Sequence, residues 1–306
     1  MVKMIVTGSS SPLLKTLEYL VPDKRVEVMH VFLDENQDAE AMDLCRRNSL
    51  AFDDAAVLNT GAGLKIMNST AFHWLLSVNS TVILESDLLH LAEKGALNLH
   101  PGKLPEYAGL HTHQWAIRNG EKTFGVTLHH MKPGIDTGDI AFQQTFPVKP
   151  SDTGLSLYLK CLREGIKLVK EAVDYMAEGH MLPAISQDLS KRKLYTHKMA
   201  LNGRIDWHLP AEKIFDFIRA ADYAPFQSPT YIPYTAFVGK RIYITRAEVV
   251  ADTLKPGEIR FTSDEDIIAG ASSGSLKLKK MLDENRKLIS AEQFRRIVNA
   301  KHPFFE

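Results

Sequence analysis

Hydrophobic and polar positions alternate between two periods along the chain, and the switches between them mark its elements. Lys3 to Thr7 is an apolar run of β type, followed by Gly8-Ser9-Ser10-Ser11-Pro12, where serines and an early proline open a helix over Leu13 to Leu20. Val26 to Leu33 reads as a second strand. Asp34, Glu35, Asp38, Glu40 and Asp43 then lead into a helix and read as a solvated face. Thr81-Val82-Ile83-Leu84 is a compact β-branched run, predicted to be a buried parallel strand. The apolar residues Leu88, Leu89, Leu91 and Ala92 predict a helix, and Gly95-Ala96-Leu97 a short buried strand that breaks at Pro101-Gly102. Further on come a helix from Leu110 to Asn119, strands over Gly125 to Met131 and Ile140 to Val148, and a long amphipathic helix from Leu155 to Met176.

Strands alternating with helices predict an α/β fold, a doubly wound and mostly parallel sheet with its ligand crevice at the strand C-termini. The opening strand-loop-helix lacks GxGxxG, which disfavours a dinucleotide site. Composition changes after Gly179. Pro183, a Ser-Lys-Arg-Lys cluster and Asn202-Gly203 predict a linker over 181–203 between a large domain at 1–180 and a smaller one at 204–306. In the latter, a helix over Ile214 to Ala221 precedes short strands (Tyr231 to Val238, Arg241 to Val249, Glu258 to Phe261, Ile267 to Ala269, Leu276 to Leu278), a spacing that suits a small β-barrel-like domain.

With 306 residues, 44% of them hydrophobic and 24% charged, the chain has the composition of a soluble globular protein. Lysine plus arginine equals aspartate plus glutamate, 37 each, so no global field draws it to nucleic acid or membrane. Cys45 and Cys161 have neither CxxC nor zinc-like spacing. Without a signal-peptide layout at Met1 or an apolar run near the ~18 residues a bilayer requires, the expected location is the cytoplasm.

The candidate chemistry lies in two stretches, Asn98-Leu99-His100-Pro101-Gly102-Lys103-Leu104-Pro105 and Gly134-Ile135-Asp136-Thr137-Gly138-Asp139-Ile140. Asn98 and His100 are two apart and share one face of a strand. Asp136 sits on a glycine-flanked loop where backbone can approach a ligand closely. Asparagine, histidine and aspartate converging at strand ends would handle a proton and stabilise an oxyanion. Taken singly, Asn98 could cap a turn, His100 could be a satisfied core histidine and Asp136 an Asx-turn residue. Their joint spacing favours chemistry.

Asn98-x-His100, Leu104-Pro105 followed by Tyr107-Ala108-Gly109, Gly125-Val126-Thr127-x-His129 and Asp136-Thr137-Gly138-Asp139 resemble the formyltransferases that use 10-formyltetrahydrofolate, down to the 36-position step from His100 to Asp136. Gly203-Arg204-Ile205-Asp206-Trp207, Ile214 to Ala221 and Pro225-Phe226 are similar to the C-terminal module of the longer members. The resemblance implies a Rossmann-like catalytic domain at 1–180. Its catalytic residues would be Asn98, His100 and Asp136, and 10-formyltetrahydrofolate the formyl donor, with no metal. It further implies that Asn79, Val82, Ile83, Gly102, Leu104, Thr137, Gly138 and Asp139 contact the folate. One departure stands out: many relatives read His-Gly-Ser-Leu-Leu-Pro, and here His100-Pro101-Gly102-Lys103-Leu104-Pro105 has no serine.

Two other patterns compete. His111-Thr112-His113 and His129-His130 invite a metal reading, but i and i+2 point apart on a helix and no cysteine lies near. A basic segment from Lys277 to Lys301 could meet a nucleic acid or a nucleotide diphosphate, yet Asp283, Glu284 and Glu292 interrupt it. The expected partners are folate and a small-molecule amine, a nucleotide-linked amino sugar first among them. Membrane is not expected, nucleic acid is disfavoured, and a homodimer is open. The alternatives are a methionyl-tRNA formyltransferase, whose basic loop would stand where Asp34 to Asp43 stand here, and a non-catalytic folate- or nucleotide-binding module.

Overall fold

The computed structural model describes residues 1–34, 38–80, 82–196, 202–262, 266–298 and 303–305. The first half runs β1 (Val2–Gly8), α1 (Ser10–Leu20), β2 (Val26–Leu33), α2 (Ala39–Arg47), β3 (Phe52–Asp54), α3 (Gly61–Ser69), β4 (Trp74–Val78), α4 (Ser86–Leu89), β5 (Gly95–His100), β6 (Ala108–Gly109), α5 (Thr112–Asn119), β7 (Thr123–His130), β8 (Ile140–Pro147) and α6 (Gly154–Ala177). Then follow β9 (Leu194–Tyr195), α7 (Ala211–Ala220), β10 (Tyr234–Phe237), β11 (Lys240–Val250), β12 (Ile259–Phe261), β13 (Ile267–Gly270), β14 (Ser275–Leu282), β15 (Leu288–Ile289) and α8 (Ala291–Ile297). Chain contacts divide these into one compact unit of 1–110, 124–146 and 160–195, and another of 111–123, 147–159 and 196–306.

In the first unit, strands lie in the order β3-β2-β1-β4-β5-β7-β8. The pairs β1–β2, β1–β4, β2–β3 and β4–β5 are parallel, and β5–β7 is antiparallel. The central strands are apolar on both faces because helices cover both. Ile5, Phe32, Leu58, Met67 and Leu75 fill one core layer. On β5 the alternation decides function: Leu97 and Leu99 are buried, with Leu99 packed on α6 where Gly165 leaves room, while Asn98 and His100 take the other face. The order reverses between β1 and β4, so the crevice of a doubly wound sheet opens beyond Gly8, Val78 and His100.

Two expectations are corrected. The strand expected at 81–84 is absent from 82–84, and Thr81 lies outside the described residues. The strand is instead Trp74–Val78, ended by Asn79 at φ 54°, after which Ile83 is 73% exposed. Asp38, read as part of a solvated face, is buried. Its carboxylate accepts the Ser10 and Asp34 amides (the latter at 3.0 Å), satisfying a donor at the start of α1. The acidic stretch is further offset by Arg46 and Arg47 in the last turn of α2, Arg46 lying 2.9 Å from Asp43.

The second unit is a small antiparallel sheet, β10-β11-β14-β13-β12, with β15 on β14. Trp207, Ile214 and Ile218 pack with Ile244, Leu276, Phe294 and Phe305 in its core. Most of the basic residues near the C-terminus are already engaged: Lys277 with Asp266, Lys279 with Glu248, Arg296 with Glu292, and Arg295 over the Phe261 ring. Lys301 lies outside the described residues. Among the described residues no helix is long and apolar enough to cross a membrane.

Candidate active site

Asn98, His100 and Asp136 come together at the C-terminal end of β5. Register explains the meeting, because the antiparallel pairing sets Asn98 opposite His129 and His100 opposite Thr127. The loop after β7 then carries Asp136 back over these four side chains. Asp136 adopts φ 52°, a left-handed conformation costly for a side-chain-bearing residue. Its Oδ2 accepts the Gly109 amide at 2.7 Å and lies 3.5 Å from His100 Nδ1, while Oδ1 lies 3.4 Å from His129 Nε2. Asn98 Nδ2 donates to His129 Nε2 at 3.1 Å and makes a longer contact, 3.5 Å, to Asp136 Oδ1.

Partners set the tautomers. His129 Nδ1 faces its neighbour's carbonyl, His130 O, at 2.8 Å and must donate, which leaves Nε2 to accept from Asn98. His100 Nε2 faces the Tyr107 carbonyl at 2.6 Å and must donate too, so its Nδ1 lone pair points at Asp136. Burial pushes the His100 pKa below its ordinary value, and Asp136 and the Tyr107 carbonyl pull it back only in part. Burial opposes ionisation of Asp136 as well, but the imidazoles of His100 and His129 beside it and the Gly109 amide together hold its carboxyl well below the usual carboxylate range. The result is an ionised acid beside a neutral imidazole, buried together.

The turn after His100 is built for close approach. A Cβ at Gly102 would overlap the His100 ring and the Tyr107 carbonyl. Thr127 Oγ1 donates to the Gly102 carbonyl at 2.8 Å and accepts from the Leu104 amide at 3.3 Å, and Gln143 Nε2 donates to both Thr127 Oγ1 and the Leu104 carbonyl. Buried Leu104 thereby anchors the segment in which relatives of the expected family carry a serine.

Comparison with known proteins bears directly on this site. The family model described as formyl transferase matches residues 74–173, which span β4 to α6, and that of the formyl transferase C-terminal domain matches 199–299. The chain belongs to the formyl transferase family. Among curated formyl transferases, the methionyl-tRNA formyltransferase of Koribacter versatilis is 31% identical over 68% of this chain and 64% of its own, and that of Geobacter metallireducens 29% over 69% and 66%. The match therefore spans just under two thirds of those relatives' length. Similar solved structures include an N-formyltransferase from Helicobacter canadensis in complex with folinic acid and dTDP-3-aminofucose, with TM-score 0.70, 20% identity and coverage of 91% of this chain and 99% of that one. HypX from Aquifex aeolicus follows at TM-score 0.61 and 17% identity, over 96% of this chain and 48% of its own. At these identities the two structures show the shared fold.

The remaining candidate positions divide into groups. Gly102 and Leu104 lie beside His100. Gly138, two residues after Asp136, packs on the His130 carbonyl, where no side chain would fit. Thr137 turns into its own loop, its hydroxyl donating to the Pro133 carbonyl at 3.1 Å, and Asp139 pairs with Lys132 at 2.7 Å. Asn79, Val82 and Ile83 lie apart from the triad, on the connection after β4. Asn79 Nδ2 donates to Ser9 Oγ at 3.2 Å across the switch point, the Val82 amide donates to Ser80 Oγ, and the Ile83 carbonyl accepts from Asn59.

Sequence reasoning quoted His129, Thr127 and Tyr107 only as motif residues without placing them beside Asn98, His100 and Asp136, and it did not single out Gln143 or Gln187. Period-2 alternation on β7 could have found the first two, since Thr127 and His129 share a face. The histidines considered for metal go elsewhere. His113 is buried on α5 with Nε2 against the Tyr223 hydroxyl, and His130 Nε2 donates to the Pro183 carbonyl at 2.9 Å. Among the described residues no group of three His, Cys, Asp or Glu side chains could hold a metal ion.

Proposed function

We propose that this chain transfers a formyl group from 10-formyltetrahydrofolate to the amine of a small molecule, a nucleotide-linked amino sugar being the leading acceptor class. The observation that carries the reading is the largely buried array Asn98–His129–Asp136–His100, an amide donor and a neutral imidazole set against one carboxylate. The neutral amine attacks the formyl carbon, a C–N bond forms, and the bond from that carbon to the folate N10 breaks. The amine loses one proton and N10 gains one. The Asn98 N–H that makes only the 3.5 Å contact to Asp136 is the one free to donate to the carbonyl oxygen as charge builds on it. His100 is buried and neutral and accepts the amine's proton at Nδ1, where Asp136 stabilises the imidazolium. Half-buried Val82 and exposed Ile83, with Asn79, offer an apolar patch with an amide for the pterin. Gly102, Leu104, Thr137, Gly138 and Asp139 are the further positions assigned to the folate.

Two observations support the small acceptor. The overall charge is balanced, and Asp34 and Glu40 stand where a tRNA-binding relative would place a basic loop. The shared architecture also accommodates dTDP-3-aminofucose in the Helicobacter canadensis enzyme. The second reading, methionyl-tRNA formylation, is favoured by the curated relatives themselves. Purified protein with 10-formyltetrahydrofolate is offered a panel of nucleotide-linked amino sugars and, separately, initiator methionyl-tRNA, at low and moderate salt. Turnover of at least one sugar with none of the tRNA is the expected result. Efficient, salt-sensitive tRNA formylation with no small amine formylated would replace this reading by the second.

A further inference from the structure

The stretch after α6, which composition marks as a linker, begins as a strap over the Asp136 loop. Ile185 exchanges backbone hydrogen bonds with Ile140, 2.8 and 2.9 Å, on the far side of that loop. Gln187 Nε2 donates to the carbonyls of Asp136 at 3.0 Å and Gly138 at 2.6 Å. The Arg192 guanidinium donates to the Ile135 carbonyl at 2.7 Å. Two residues on, β9 pairs in parallel with β6, setting Leu194 beside Ala108 and Tyr195 beside Gly109, and the Tyr195 ring stacks on Tyr107 at 5.4 Å. Gly109 supplies the amide that Asp136 Oδ2 accepts, and Tyr107 supplies the carbonyl that receives His100 Nε2–H. One eleven-residue segment thus meets the Asp136 loop and both residues, Tyr107 and Gly109, whose backbone groups orient the His100 ring and the Asp136 carboxylate.

We infer that Gln187 and Arg192 are positioning residues: they clamp three consecutive-loop carbonyls, those of residues 135, 136 and 138, and so hold Asp136 in its left-handed conformation with its carboxylate between the two histidines. The physical need is clear from the backbone. Asp136 at φ 52° lies in a left-handed conformation that a residue with a side chain disfavours, and it persists only where its surroundings over-determine it. Within the loop Thr137 bonds the Pro133 carbonyl and Lys132 pairs with Asp139, neither reaching the carbonyls of 135, 136 or 138, and the three N–H groups that do come from Gln187 and Arg192, 51 and 57 positions away. Neither side chain touches Asn98, His100 or the Asp136 carboxylate, so both act through the backbone. This inference rests on the formyl-transfer reading for its kinetic consequences and on geometry alone for its structural ones.

The test takes the full chain with Gln187→Glu, Gln187→Ala, Arg192→Ala and Arg192→Lys. Two readouts are followed: steady-state formyl transfer, and hydrogen exchange of the Gly109 amide together with the imidazole resonances of His100 and His129 by NMR. Glutamate matches glutamine in shape but offers no N–H to the two carbonyls, so it behaves like alanine. Both variants lower kcat at least tenfold with KM within twofold of wild type, speed exchange at Gly109 at least tenfold and move the His129 resonance. Arg192→Ala does the same, and Arg192→Lys, still a donor, recovers most of the loss. Melting temperature checks that the fold persists. Unchanged Gly109 exchange and histidine resonances in Gln187→Glu and Arg192→Ala would overturn the inference even where the protein transfers no formyl group. An inactive wild type with altered exchange in the variants would keep the clamp and discard the reaction.

Discussion

Replacing Asp136 by asparagine tests the proposed chemistry with little change in shape. Asparagine keeps an oxygen for the Gly109 amide, so the buried donor at 2.7 Å stays satisfied and the fold should survive. What it loses is the charge 3.5 Å from His100 Nδ1, where both side chains are less than a tenth exposed. Two unit charges at that distance in an effective dielectric of about 20 interact by about 4–5 kcal/mol. In the ground state His100 is neutral and gains little of this. When it takes the amine's proton it gains nearly all, so the loss falls on the transition state. At about 1.4 kcal/mol per factor of ten, kcat should drop roughly 10³-fold with KM nearly unchanged. Single-turnover formyl transfer with saturating acceptor measures this directly, alongside a thermal melt. A variant that folds like wild type and keeps more than about a tenth of its rate, a loss under about 1.4 kcal/mol, would refute the proposal that Asp136 stabilises a charged His100.

Gly102→Ala should lower turnover at least as far as tenfold, because the added methyl overlaps the His100 ring and the Tyr107 carbonyl; a variant with wild-type kcat would show that this turn yields at no catalytic cost. The buried His113 links stability to pH. Burial first, and the charge of His111 second, push its pKa down to about 3, below the ~6.5 of an unfolded histidine. Its neutral form is therefore fully favourable above about pH 6.5, and stability is lost as pH falls below that, by about 1.4 kcal/mol per unit, or roughly 2 kcal/mol by pH 5. Urea unfolding at pH 7.5 and pH 5 should show a flatter dependence in His113→Gln, and identical dependence in the two proteins would sink the assignment. EDTA should leave formyl transfer unchanged, whereas a loss restored by zinc would bring back the metal reading of His129-His130.

Much of the sheet was legible because local periodicity encodes it. Val26 to Leu33 is legible to the residue, and the alternation on β5 separates Asn98 and His100 from Leu97 and Leu99 by sequence alone. The strand expected at 81–84 failed for a reason of the same kind. β-branched residues report a preference for extended backbone, and Ile83 is extended-prone yet exposed, because the left-handed Asn79 ends β4 four residues earlier.

By itself, the sequence determined the doubly wound class of the sheet and the β-rich second domain, and it marked Asn98, His100 and Asp136 as candidates through the joint spacing of two stretches. Only the tertiary structure decided what surrounds them. Asp38 became a buried acceptor for the start of α1, His129 joined the triad through antiparallel register, and Gln187 and Arg192 reached the Asp136 loop from more than fifty positions away. The physical reason is that hydrophobic period and turn chemistry act between neighbours along the chain. A side chain's donation to a distant carbonyl leaves no periodic trace and exists only once the sheet has brought the two segments together.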